Sequence, residues 1–192
     1  MKMNAQFVRT CLRLTGIPVF VMSSLPAFAQ LSGTLGVQLE LSQSCNLVGS
    51  ANTAGVNLGT LDFGTAPSTF TGQLTAQAED GEGTPGPSEL VCSPDIDGIT
   101  VVIDGGLNAG EGAALGTGSR ALSNGTDYIP YEVFSDSGHT TPYGIGAPGT
   151  ALSIPSDGSG FALPIYGLIN KTSNVGVTSG TYQDTLIVTI TW

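Results

Sequence analysis

Apolar and polar residues alternate with a period of two along much of this chain, and no window carries a sustained helical stripe. The clearest case is SGTLGVQLELSQSC, residues 32–45, where Leu35, Val37, Leu39 and Leu41 alternate with Gly36, Gln38, Glu40 and Ser42. Leu31 and Gly33 share the parity of the apolar set. Further strands are predicted at 58–64, 69–77, 88–92, 99–104, 127–135, 161–169 and 181–191, each a short β-branched or aromatic run bounded by turn residues. Segments 79–88, 104–119 and 156–160 read as loops, and Asn124-Gly125 suits a tight hairpin turn. Pro130 and Pro164 fall inside strand candidates, which places those strands at an edge or a bulge.

Many short strands with no linker between them predict a single all-β domain, an antiparallel sandwich. The last predicted strand is the most informative. Tyr182, Leu186, Val188, Ile190 and Trp192 share one face, broken only by Asp184. Thr181, Gln183, Thr185, Thr189 and Thr191 share the other, with Ile187 its one apolar member. No later strand covers its outer edge, and exposed apolar edges are a hazard. Periodicity alone leaves 31–41 open between a first strand of its own sandwich and a strand that completes another.

The N-terminus changes how the rest is counted. Lys2, Arg9 and Arg13 precede an apolar run from Leu14 to Phe28, and Ala27-Phe28-Ala29 supplies a small-x-small site before Gln30. Residues 1–29 therefore read as a secretory signal peptide cleaved after Ala29. The run is too short and too interrupted for a comfortable membrane span, so no integral segment is expected in the mature form. Three of the five basic residues lie in the signal, leaving Arg120 and Lys171 against fifteen acidic residues. Such a chain repels phosphate backbones, which argues against nucleic acid as a partner. Export also frames the cysteines. Cys45 and Cys92 remain after cleavage, and two cysteines in an oxidising compartment most simply form one disulfide.

Candidate chemistry is sparse. His139 stands alone in a turn-rich loop, no GxSxG surrounds a serine, and no two carboxylates pair for glycoside hydrolysis. Asp95-x-Asp97-Gly98 has the start of a calcium loop without its downstream ligands, so an ordinary turn is the better reading. A non-enzymatic chain without metal or cofactor is expected.

Several pieces together resemble the spore coat protein U family, which includes the pilins of archaic, Csu-type chaperone–usher pili. They are the terminal G-x-Y-x-D-T-L-I-V-T-I-T-W from Gly180, LDFG at 61–64, VCS at 91–93, VVIDGG at 101–106, Arg120-Ala121-Leu122, YEVFSD at 131–136 and PIYGLI at 164–169. The chain departs from that pattern at Tyr143-Gly144, where the family has Trp-Gly, and in the acidic, glycine-rich stretch 79–87.

The resemblance implies an immunoglobulin-like sandwich that lacks a strand and is completed by donor-strand complementation. It divides the chain into a signal peptide (1–29), an N-terminal donor extension (30–44) and a pilin domain (45–192). It implies a major pilin, a structural subunit of a surface pilus that supports adhesion and biofilm formation. The partners would be a periplasmic chaperone, an outer-membrane usher and neighbouring copies in a head-to-tail polymer. A minor or tip-proximal surface-binding subunit, or a self-contained secreted coat protein, is the alternative. On this reading Leu35, Val37, Leu39 and Leu41 enter a neighbour's groove, whose edge or floor includes Leu186, Val188, Ile190 and Trp192. Burying four such side chains contributes about 6–12 kcal/mol before ordering costs. Residues 31–41 extend to about 36 Å, enough to cross a domain.

Overall fold

The structure, a computed structural model, describes residues 30–52, 54–82 and 85–192. The signal-peptide reading, including Ala27 and Ala29, falls outside the described residues; Gln30 is the first inside them and is exposed. The chain divides into two units after Glu40. In the first, the described residues 30–40 form no strand. Among the described residues every strand lies in the second, Leu41–Trp192.

Twelve strands are present among the described residues: β1 (Cys45–Leu47), β2 (Thr60–Leu61), β3 (Gly72–Glu79), β4 (Glu89–Cys92), β5 (Gly98–Ile103), β6 (Gly116–Thr117), β7 (Arg120–Ser123), β8 (Tyr128–Phe134), β9 (Thr150–Ser153), β10 (Phe161–Ala162), β11 (Tyr166–Lys171) and β12 (Val188–Thr191). They form three antiparallel sheets, ordered β1-β4-β10, β2-β3-β11-β8-β7 with β6 also on β11, and β12-β5-β9. The fold is therefore all-β, antiparallel sheets packed around one core. Period-two patterning explains how the core closes. Ile99, Val101 and Ile103 of β5 are buried while their neighbours are less so, and they meet Leu90 of β4 and Ile129, Val133 and Ile169 of the largest sheet in one hydrophobic cluster.

The two prolines act as local rules require. Pro130 lies in β8 where only β7 is paired with it, since the β11 ladder begins at Glu132. The missing N–H thus leaves no gap in that ladder. Pro164 splits the predicted strand 161–169 in two. Before it, Phe161 and Ala162 pair with β4; after it, β11 pairs with β3. The chain changes sheet at the residue that cannot donate.

Besides β1, which begins where the first predicted segment ends, three strands absent from the sequence prediction, β6, β7 and β9, are short, and the Gly, Ser and Arg around them hide any alternation. The β7–β8 connection spans four residues, because Ser123 pairs with Tyr128. In it the Asn124 carboxamide oxygen accepts from the Thr126 and Asp127 amides.

Cys45 and Cys92 are directly opposite in the β1–β4 ladder and are joined as a disulfide 47 residues apart in sequence. On the chain-entropy account, a loop of that length stabilises by about 4 kcal/mol.

Both cations of the domain are fully buried. Arg120 sends Nε to the Asp104 carbonyl at 2.8 Å and Nη2 to the carbonyls of Ile103 and Tyr143 at 3.1 and 3.0 Å, and it pairs with the Glu132 carboxylate. One guanidinium thereby ties β5, β7, β8 and the 143 loop together. Tyr143 is also buried, and its hydroxyl donates to the Pro164 carbonyl at 2.9 Å. With both cations inside, the ionised side chains exposed among the described residues are all acidic.

Candidate acceptor groove and donor segment

An open groove of about 1460 Å³ runs along one side of the second unit. Its floor is apolar, made by Leu74 and Ala78 of β3, Leu122 of β7, Ile129 and Tyr131 of β8, and Ile169 of β11. One wall comes from residues 54–70 and the other from 177–188. The volume exceeds the usual range for a small-molecule site. Both walls are mostly extended chain with few ladder partners: in the first only Thr60 and Leu61 pair, and in the second pairing begins at Val188, apart from a bridge at Gln183. This is why predicted strands 58–64 and 181–191 shrink to β2 and β12. Their residues keep the pattern but lack a neighbour on the groove side.

The second wall shows this in detail. Residues 181–190 alternate without a break between exposed odd positions and half-buried even ones. Gln183 exchanges two 2.9 Å backbone bonds with Ser123. Ile187 receives the Asp104 amide at its carbonyl at 3.0 Å and donates its own amide to Asp104 Oδ1 at 2.9 Å. Odd-numbered residues thus spend their backbone groups on the body of the domain. By the alternation of an extended chain, Tyr182, Asp184 and Leu186 turn theirs the other way. β12 continues as an edge strand, bonded to β5 alone.

Asp184, the polar break in an apolar face, has a structural explanation. Its Oδ2 accepts the Tyr131 hydroxyl at 2.8 Å and its Oδ1 accepts the Leu107 amide at 2.8 Å. Burial first, then that hydrogen bond and the carboxylate charge, pushes the Tyr131 hydroxyl far above the usual phenol value. Gly106 makes room for this contact: its φ is +68°, and a Cβ there would meet the Asp184 carboxylate at 2.1 Å. The VVIDGG and G-x-Y-x-D-T pieces of the sequence therefore meet in space. A second close approach lies on the floor, where the Phe63 ring covers Gly167 so closely that a Cβ would come within 2.7 Å of it.

Of the residues proposed for the acceptor edge, Leu186 and Val188 line the groove. Ile190 packs instead against the core cluster opposite Val101, and Trp192 is 54% exposed after the last pair of β12. The reason is the register with β5, which takes over the strand from Val188 onward. The donor candidates sit in a segment without strand partners, with Leu35 and Val37 89% exposed, Leu39 80% and Leu41 83%. Sequence reasoning missed the first wall, including Phe63 and Phe70, and the roles of Tyr131 and Lys171. LDFG offered a signal for Phe63; Lys171 could have been found from its parity with Ile169 in β11.

Asp95, the calcium-loop candidate, receives the Gln43 side-chain amide at 3.0 Å on both its carbonyl and Oδ2. Among the described residues, no group of three or more His, Cys, Asp or Glu is placed to hold a metal ion, and no helix is long and apolar enough to cross a membrane.

The described residues thus carry an all-β unit whose groove has an apolar floor and sparsely paired walls, and an alternating apolar segment over 31–41 that is exposed. The chain belongs to the Spore Coat Protein U domain family, which matches residues 31–189. No curated relative matches the sequence. Among solved structures, the CsuC–CsuE chaperone–tip adhesion subunit pre-assembly complex from archaic chaperone–usher Csu pili of Acinetobacter baumannii is similar at 16% identity and a TM-score of 0.45. That match covers 79% of this chain, which spans 40% of the other.

Proposed function

We propose that this protein is a structural, non-enzymatic subunit of a surface pilus assembled by the chaperone–usher pathway. In this reading the segment around Leu35, Val37, Leu39 and Leu41 of one copy enters the groove of the next. A periplasmic chaperone holds the groove filled until an outer-membrane usher exchanges its strand for the neighbour's segment. The observation that carries the reading is the groove itself, apolar on its floor and sparsely paired along both walls, in a chain that also has an exposed alternating apolar segment. Filling the one with the other satisfies two edges and buries at least four aliphatic side chains. Because donor and acceptor surfaces differ, the contact is head-to-tail and propagates a filament. The mature chain then reaches the cell surface through the periplasm after loss of residues 1–29, where the fibre supports adhesion and biofilm formation.

The test is intermolecular crosslinking in intact fibres. Chains carrying Leu39→Cys and Leu186→Cys are expected to give a ladder of covalent oligomers under oxidation. Fibres that stay monomeric on a denaturing gel, with both thiols accessible, would rule the assignment out.

A further inference from the structure

Lys171 occupies a core-facing position of β11, next in parity after Gly167 and Ile169, and its side chain is fully buried. No carboxylate accompanies it. Nζ donates instead to three backbone carbonyls, Phe70 at 3.0 Å, Ser173 at 2.7 Å and Val175 at 2.7 Å, and lies 5.5 Å from the centroid of the Phe70 ring. All three ammonium protons are thereby used. The carbonyls come from two separate loops. Phe70 ends the first groove wall, and the 173–175 turn leads into Val177, which starts the second. Val177 donates its amide to the Ser68 carbonyl at 3.0 Å, so the two walls meet directly beside the ammonium.

We propose that Lys171 is a positioning residue of the groove: its ammonium gathers the two loops and so fixes the spacing of Phe70 and Val177, where one end of an incoming strand is seated. This rests on the donor-strand reading and adds to it a residue that never touches the donor. A lysine meets the requirement because three converging carbonyls need three donors at a single point. A carboxylate partner would neutralise the charge without tying the loops, and an apolar side chain would leave three carbonyls unpaired.

The experiment uses the mature chain with Leu39→Asp, to silence its own donor, refolded from denaturant with a synthetic peptide of residues 31–44. Two truncated peptides, 31–38 and 35–44, each lack one end. With Lys171 present, both truncations are expected to bind at least 10-fold more weakly than the full peptide. With Lys171→Met, the full peptide is expected to lose 10-fold or more, while truncation at one end, and only one, no longer matters. Phe70→Leu, which trims the groove itself, should show the same end-dependence and carries the test if Lys171→Met does not fold. A uniform loss across all three peptides, or no loss, overturns the positioning role and leaves the donor-strand reading standing. Failure of the full 31–44 peptide to bind the chain that keeps Lys171 overturns both.

Discussion

The hydroxyl of Tyr131 donates to the carboxylate of Asp184 at 2.8 Å, joining the floor of the groove to its C-terminal wall. The same carboxylate holds the Leu107 amide. Asp184 is therefore the point at which β8, the loop after β5 and the unpaired wall share one acceptor group.

Removing that acceptor should cost more than removing the hydroxyl. Asp184→Ala leaves both the Tyr131 hydroxyl and the Leu107 amide without partners, a loss of about 1–3 kcal/mol. Tyr131→Phe leaves the carboxylate with the Leu107 amide, and its cost is nearer to about 1 kcal/mol. Denaturant midpoints of the peptide-filled subunit measure both. Equal destabilisation by the two variants would show that the Leu107 contact contributes nothing.

What the sequence made legible follows from which forces act locally. The alternation over 181–190 and in β5 is a face pattern, and it survives in the structure even where no ladder accompanies it. The alternation over 31–41 is legible for the same reason. The first wall is legible in part: the period over 58–64 shows, but residues 54–70 owe their place to the groove they border, and Gly55, Gly59, Gly64 and Pro67 interrupt the pattern. Ile190 and Trp192 share a face with Leu186 and Val188, yet only the latter pair line the groove. Face is set by the chain; which neighbour it meets is set by register with β5, a long-range fact. Arg120 and Lys171 look like surface cations by composition. Their burial depends on carbonyls supplied by loops far along the chain, such as Phe70 for Lys171.

Leu39→Asp tests the donor segment. The side chain is exposed in the single chain, so folding of the domain should be unaffected. In a fibre it would place a carboxylate against an apolar floor, losing about 1.5–3 kcal/mol of leucine burial and adding the cost of desolvating the charge. Together these exceed the 2.7 kcal/mol or so that corresponds to a 100-fold change in affinity. Fibre yield, followed by electron microscopy and by heat-resistant ladders on gels, should fall at least that far while the monomer remains soluble and oxidised. Full-length fibres from this variant would exclude residues 31–41 as the donor.

Acid should loosen the start of the second wall only well below neutral pH. Asp127 Oδ2 accepts the Thr178 amide at 2.6 Å and its hydroxyl at 2.7 Å, and Thr178 lines the groove. The backbone bond first, then the side-chain bond, holds the Asp127 carboxyl below its ordinary value of 3.8. A depressed carboxyl stabilises the folded state above its unfolded value and loses that contribution as pH falls through the lower, folded one. Stability of the filled groove should therefore be flat from pH 7 to about 5 with respect to this group, and decline only below about 4. Asp136 and Asp157 are lowered too and titrate in the same window, so wild type alone cannot assign the decline. The difference between wild type and Asp127→Asn can. Peptide retention in the two proteins should differ at pH 6 and converge as pH drops below 4, and a gap that persists unchanged to pH 2 would show that the Asp127 charge plays no part in holding the wall.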